Sequence, residues 1–287
     1  MSVSSSKAPL VSVLMPVYNA ERYVAETIKS ILDQSFTDFE FLILNDGSTD
    51  RSAEIIQSFS DPRIRYLTQK NCGIVASLNR LVQESRGTFW ARMDADDLAH
   101  PDRLKKQVEW LIANPNDVMV CCVTDWIDEA GNPLPRWPAD DRWRTFEELR
   151  VGLFSENAIA HSSVLLRGSE LKRSAFLSNG ELYRRLVVLA EDYDLWLRLV
   201  VFGYRFHKIS EPFMRLRRHS QSLTHRTNGL WQLSKDLRVK ASVLFMTFCA
   251  ARPVFFRATL VRSLALESAK FCYRAFTYYS RRIFCRS

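Results

Sequence analysis

Four apolar runs, at residues 10–17, 39–44, 64–67 and 88–93, are each followed by a stretch of helical periodicity. Strand and helix thus alternate four times within about a hundred residues, a rhythm that predicts a parallel sheet wrapped by right-handed crossovers. The first run is apolar throughout, as suits a central strand buried on both faces. Between the runs, Val24, Ile28, Ile31 and Leu32, then Val75, Leu78, Leu81 and Val82, then Leu104, Val108, Leu111 and Ile112 recur at helical spacing. The second half is less regular. Residues 118–123, 163–167, 204–209 and 213–216 are expected as strands, Asp128-Glu-Ala-Gly-Asn132 as a hairpin turn, and Glu191-Asp192-Tyr193-Asp194 as the opening of a helix. Residues 133–143, rich in Pro and Trp, are expected as a loop that covers a site. No internal repeat is found.

The fourth run ends on Asp94-Ala95-Asp96-Asp97, followed by Pro101 and the next helix. The acids therefore lie at a strand's carboxyl end, where open α/β sheets bind ligands. Three carboxylates so close repel one another and raise each other's pKa unless a cation or a set of donors is present. Mg²⁺ or Mn²⁺ bridging to a diphosphate answers that requirement, and a solvated acidic turn capping the helix is the competing reading.

A chain of 287 residues can bury a full core, and 47% hydrophobic with 25% charged residues is a globular composition. The net charge of +8 points to an anionic partner: nucleotide, nucleic acid or lipid headgroups. No RRM-like, KH-like or zinc pattern supports nucleic acid, which is not expected as a partner. Six cysteines without metal-ligand spacing suggest a reducing compartment. Residues 1–9 are Ser-rich, lack the apolar core of a secretory signal, and are expected as a flexible terminus.

Several stretches together resemble glycosyltransferase family 2, the nucleotide-diphospho-sugar transferases with the GT-A fold. They are Val11-Ser-Val-Leu-Met-Pro-Val-Tyr-Asn19, Asn45-Asp-Gly-Ser-Thr-Asp50, Gly73 with Ser77-Leu78-Asn79, Asp94-Ala-Asp-Asp97 with Pro101-Asp102-Arg103-Leu104, and Glu191-Asp-Tyr-Asp-Leu-Trp-Leu-Arg198. The resemblance implies a GT-A domain over residues 10–227: an α/β, Rossmann-like, mostly parallel sheet flanked by helices, with residues 228–287 as a helical extension. Carried over residue by residue, it gives Pro16, Tyr18 and Asp46 to the nucleotide base and Asp94 to the ribose or the metal shell. Asp96 would hold the Mn²⁺ or Mg²⁺ that bridges the two phosphates, with His219 completing the shell. Asp192 would be the general base of a single displacement with inversion, and Glu191 would raise its basicity or bind another acceptor hydroxyl. Asp97, His161, Lys70 and Arg218 stand as further acceptor or phosphate contacts, and Arg217 as a second arginine near phosphate.

The implied activity is transfer of a sugar from a nucleotide-diphospho-sugar donor, UDP-sugar by first choice, to a glycan or lipid-linked acceptor in cell-surface polysaccharide or lipopolysaccharide biosynthesis. Two alternatives stay open: an inert nucleotide-sugar-binding scaffold of the same fold, and a sugar nucleotidyltransferase. The latter would carry a Gly-rich phosphate loop where this chain has Pro16-Val-Tyr-Asn19. Residues 174–190 have no family counterpart and are expected to shape the acceptor pocket.

The tail is basic and aromatic, its last 36 residues holding eight basic side chains against one acid, Glu267. Lys270, Arg274 and Arg281 fall on one helical face, with Phe276 and Ile283 roughly opposite, and Phe271, Tyr273, Tyr278 and Tyr279 add aromatic mass. That pattern suits a helix lying in the headgroup layer of an anionic membrane, and a hairpin packed on the catalytic domain or on a second subunit is the competing reading. No uncharged run in the tail is long enough to span a bilayer. The expected location is cytoplasmic, peripheral on the inner face of the cell membrane.

Overall fold

The computed structural model describes residues 8–173, 181–187, 189–220, 222, 229–249 and 257–284. Strands β1 (Val11–Val17), β2 (Phe39–Asn45), β3 (Ile64–Thr68) and β4 (Phe89–Arg92) run parallel in the order β3-β2-β1-β4. Every residue of β1 and β2 is buried, because each strand feeds two cores with alternate side chains. Val11, Val13, Met15 and Val17 face one core with α1 (Val24–Leu32) and α4 (Arg103–Ala113). Leu14, Leu42, Leu44 and Trp90 face the other, with α3 (Ile74–Glu84) and α8 (Glu191–Val201). Each such aliphatic contributes about 1.5–3 kcal/mol when fully buried, so the alternation fixes the sheet's place between the helices.

Beyond β4 the sheet becomes mixed. With β5 (Leu98–Ala99), β6 (Asp117–Ile127), β8 (Leu165–Leu166) and β9 (Arg205–Arg217) its full order is β3-β2-β1-β4-β8-β6-β9-β5, and β7 (Pro133–Leu134) pairs with β6. β8 is antiparallel to both its neighbours, β6 and β9 are parallel, and β5 lies antiparallel on β9. β9 is one strand where the sequence suggested two. Its register slips where Ile209 opposes Cys122 and Pro212 opposes Val123, so two residues bulge out next to a proline that has no N–H for the ladder. The β5·β9 pairing delivers residues 217–219 to the acidic motif.

Residues 133–143 do not form the expected covering loop. They supply β7 and the short helix α5 (Pro138–Arg142), and Asp140 is buried against the sheet. Its carboxylate pairs with Lys208 at 2.7 Å and accepts from the N–H and hydroxyl of Thr124. Helices α2 (Ser52–Gln57), α6 (Phe146–Gly152) and α7 (Gly168–Arg173) complete the shell. Gly168 passes so close to Trp90 that an added Cβ would lie 2.1 Å from the indole.

Helices α9 (Gly229–Cys249) and α10 (Arg257–Phe284) pack on each other, and α9 packs on α8. Val239, Val243 and Leu260 join the core that holds Trp196, and Lys240 pairs with Glu267 at 3.2 Å across the hairpin. The hairpin also leaves Phe245, Phe248, Val261, Leu266 and Tyr273 exposed, with Arg257, Arg262, Lys270 and Arg274 exposed on the same two helices. The side chains of Phe276, Tyr278, Tyr279, Arg281 and Ile283 lie outside the described residues, as do residues 174–180 and 188. Among the described residues no helix is long and apolar enough to cross a membrane.

Candidate active site

A cleft of about 830 Å³ opens at the carboxyl ends of β1, β2 and β4, and its lining includes Pro16, Tyr18, Asp46, Asp94, Asp96 and His219. Six residues singled out in the sequence therefore meet in one cavity. The loop after β1 is held from the next strand's loop: Asn19 takes a left-handed φ of 50° and its side-chain oxygen accepts from Thr49 N. Ser48, Ser52 and Asp50 accept from the N–H groups of Asn19, Ala20 and Glu21. Much of the 45–50 motif thus braces the chain and leaves the Tyr18 ring half exposed over the cleft.

Asp46 is buried at the cleft wall, and its carboxylate accepts from Gln69 Nε2 at 2.7 Å, Cys72 N at 2.9 Å and Gly73 N at 2.9 Å. Those bonds fix the turn before α3 and leave about one acceptor position for a ligand. Gly47, at φ 71°, makes the turn feasible, since a Cβ there would meet Asn71 N at 2.7 Å. In the same turn Asn71 and Gly73 line the cleft and Lys70 is exposed to solvent outside it. Lys70 is therefore corrected from a phosphate contact to a surface residue.

The three acids have three different fates. Asp94 Oδ1 accepts from Arg92 Nη2 at 2.5 Å, and its Oδ2 accepts from the Ser162 hydroxyl at 2.6 Å. Burial pushes this carboxyl up, but the Arg92 guanidinium beside it, helped by the Ser162 hydroxyl, holds it below the ordinary aspartate value. Asp97 is buried, accepts from Arg217 N at 2.9 Å, and lies 2.5 Å from the same Ser162 hydroxyl. One hydroxyl hydrogen cannot serve two carboxylates. Burial, reinforced by Asp96 and Asp94, drives the Asp97 carboxyl well above its usual range. It is a structural link between β4, β9 and Ser162, and not the ligand contact expected of it.

Asp96 remains. Its Oδ2 lies 2.8 Å from His219 Nε2, and both residues line the cleft. Asp96 and His219 are the residues that would hold a Mg²⁺ or Mn²⁺ here, a carboxylate and an imidazole side by side in the cleft. Among the described residues no group of three or more His, Cys, Asp or Glu side chains gathers as a metal cage. A cation shared with a diphosphate is commonly held by one or two protein side chains.

Glu191 and Asp192 begin α8, two and three residues after Leu189, which lines the cleft; the two carboxylates do not line it themselves. Asp192 Oδ2 accepts from Asn157 Nδ2 at 2.9 Å and Oδ1 from Tyr193 N at 2.7 Å. Burial raises its pKa, opposed by those two donors. Glu191 is 8% exposed, its Oε2 has no hydrogen-bond partner, and burial followed by the Asp192 charge pushes it up to about 7. Arg92 Nε and Nη1, which are also buried, lack partners as well. Glu191 and Arg92 are near enough for each to influence the other's ionisation.

Three other expectations change. His161 meets the Tyr183 hydroxyl at 3.0 Å and the edge of Trp196, and burial followed by Arg92 drives its pKa well below the usual value, so the ring is neutral packing beneath the site. Arg217 is buried, reaching Glu26 at 2.6 Å and the Asp96 carbonyl at 3.1 Å, which makes it a clip and not a phosphate ligand. The Arg218 guanidinium sits 4.1 Å from the centre of the Trp126 ring and borders a shallow hollow with Glu129 and Leu134 that adjoins the cleft at His219. Sequence reasoning missed Arg92, Ser162, Asn157 and Leu189. Only Leu189 has an unusual backbone, φ 66°, and nothing in the sequence announces it.

The sequence profile described as Glycosyl transferase family 2 matches residues 12–167. An uncharacterized glycosyltransferase of Methanocaldococcus jannaschii is 32% identical over 239 residues, covering 82% of this chain and 78% of that protein. Among solved structures, S. aureus TarS 1–349 in complex with UDP-GlcNAc aligns over 93% of this chain and 73% of its own, with a TM-score of 0.66 at 17% identity. The mannosyltransferase PcManGT from Pyrobaculum calidifontis, in complex with GDP-Man and Mn²⁺, aligns over 97% of this chain and 81% of its own, with a TM-score of 0.62 at 17% identity. These two structural likenesses are of fold.

Proposed function

This chain belongs to glycosyl transferase family 2, and on that premise we infer that it is a metal-dependent, inverting transferase acting on a nucleotide-diphospho-sugar, UDP-sugar by first choice. The observation that carries the reading is the convergence of Pro16, Tyr18 and Asp46 with Asp94, Asp96 and His219 in one cleft at the carboxyl ends of parallel strands. Tyr18 offers an exposed ring for a pyrimidine to stack on, and Asp46 an acceptor for its ring N–H. Asp94, held by Arg92 and Ser162, is oriented toward the ribose. Asp96 and His219 would hold Mn²⁺ or Mg²⁺, which would offset the negative charge gathering on the departing diphosphate.

Asp192 takes the proton of the acceptor hydroxyl as that oxygen attacks the anomeric carbon from the face opposite the diphosphate, which inverts the centre. Two of its acceptor positions are used by Asn157 and Tyr193 N, which leaves lone pairs for the proton. The unpartnered Glu191 Oε2 and Arg92 nitrogens are the kind of buried polar groups that an acceptor sugar's hydroxyls satisfy. The acceptor is a glycan or lipid-linked glycan in cell-surface polysaccharide or lipopolysaccharide assembly. The exposed aromatic and basic side chains of α9 and α10 bring the enzyme to the cytoplasmic face of the membrane.

A thermal-shift series with UDP, TDP and GDP, with and without Mn²⁺, tests the donor side. Stabilisation by UDP that requires the metal is expected, and no response to any nucleotide would refute the assignment. Asp192→Asn should retain nucleotide binding and lose transfer; a normal transfer rate in that variant removes Asp192 as the base.

A further inference from the structure

Lys235 lies on α9, beyond residues 12–167 that match the family profile, and is only 5% exposed. Its ammonium donates to the Leu189 carbonyl at 2.9 Å. Leu189 has a left-handed backbone at φ 66°, a conformation that is strained for a non-glycine residue and persists only when its surroundings impose it. The same residue lines the donor cleft, and two residues later α8 opens with Glu191 and Asp192. One turn therefore sets both a wall of the cleft and the start of the helix that carries the carboxylate pair.

A helix that only had to pack would present an aliphatic side chain here, because a buried ammonium is expensive to desolvate. The charged and titratable groups acting on Glu191 and Asp192 include Arg92 and Asp94 at the end of β4, Tyr193 on α8, and Lys235 and Asp236 on α9; Tyr183 faces both acids from residues 181–187. Asn157 is the hydrogen-bonding neighbour of Asp192. Arg92 acts on Glu191, and Lys235 acts on both Asp192 and Glu191.

We propose that Lys235 is a positioning residue of the transfer reaction: it holds the left-handed turn at Leu189 and sets a cation beside Glu191–Asp192, so that the C-terminal hairpin is part of the active site. The inference rests on the reading of Asp192 as the base. Three full-length variants separate its two parts. Lys235→Arg keeps donor and charge, Lys235→Gln keeps a donor without charge, and Lys235→Met keeps neither.

Removing the cation makes the neighbouring carboxylate harder to ionise, so the acid limb of the transfer pH profile should move up by roughly half to one unit in the Gln and Met variants and stay put in the Arg variant. The Met variant alone should also raise the donor KM, by about 3- to 10-fold, as the cleft wall loosens. An unmoved limb in the Gln variant, or an Arg variant as shifted as the Met variant, would overturn the proposal. Titration of the Glu191 and Asp192 carboxyl carbons by NMR reads the same shift without turnover. Midpoints unmoved by Lys235→Gln overturn the proposal even if the wild type transfers nothing, whereas moved midpoints in a silent enzyme refute only the transferase reading.

Discussion

Replacing Glu191 by glutamine should stabilise the protein at alkaline pH and leave its stability unchanged in acid. Burial and the Asp192 charge push the Glu191 carboxyl up to about 7 from an ordinary value of 4.5. Below pH 4.5 the folded and unfolded chains both hold this proton, so it contributes no pH dependence. Between 4.5 and 7 the folded chain holds a proton that the unfolded chain has released, and stability falls as pH rises through that window. Above 7 the carboxylate is charged in both states and the folded form bears the whole penalty. At about 1.4 kcal/mol per pH unit the full penalty is about 3 kcal/mol, and sharing the proton with Asp192 brings the expected gain from Glu191→Gln to about 2–3 kcal/mol at pH 8. Urea unfolding of wild type and variant at pH 4.5, 6 and 8, at one ionic strength, reads this as a shift in midpoint at constant slope. A stability difference that does not change between pH 4.5 and 8 would refute the argument, because a packing effect has no reason to follow the titration of one carboxyl.

Two further changes test the scaffold and the outer surface. Asp140→Ala leaves the Lys208 ammonium unpaired at 2% side-chain exposure and should destabilise the fold by about 3–5 kcal/mol, with most of the loss recovered in Asp140→Ala/Lys208→Met; equal losses in the single and double variants would refute the ion-pair account. Phe245→Glu with Phe248→Glu should lower binding to anionic phosphatidylglycerol vesicles at least tenfold while nucleotide binding is unchanged, and undiminished sedimentation with vesicles would remove this surface as the membrane contact. Surface substitution is the better test than removing residues 252–287, since truncation would strip Leu260 from the core and Glu267 from Lys240.

The parallel half of the fold was legible because its strands obey one rule: β1 and β2 are buried on both faces, and their apolar runs stop where the cleft begins. The second half hid its order in contacts that no local pattern carries. Two strands expected at residues 204–209 and 213–216 are one strand with a bulge, because Pro212 interrupts the ladder without ending it. The expected covering loop at 133–143 folds onto the sheet, because Asp140 finds Lys208 some seventy residues later, and a Pro-rich stretch does not disclose a partner at that distance. In the tail one set of side chains builds core with α8, as the packed-hairpin reading expected, while Phe245, Phe248 and Tyr273 stay exposed.

The site shows the same division at the level of single charges. That residues 94–97 hold three acids at a strand end was plain, and so was their mutual repulsion; which acid stays available to a ligand was not. The answer comes from side chains far along the chain. Arg92 and Ser162 take Asp94, Ser162 and the Arg217 backbone take Asp97, and Asp96 is left facing His219. Arg217 and His219 come to the motif from the end of β9, which pairs with β5 on one side and, with Arg217 opposite Ile127, with β6 on the other. Once folded, the cluster is an oriented carboxylate, a buried link and an acid that faces His219 in the cleft. The partners of Asp96 and half of those of Asp97 come from the end of β9, so a change that displaced that end would free both acids while leaving every residue of the motif in place.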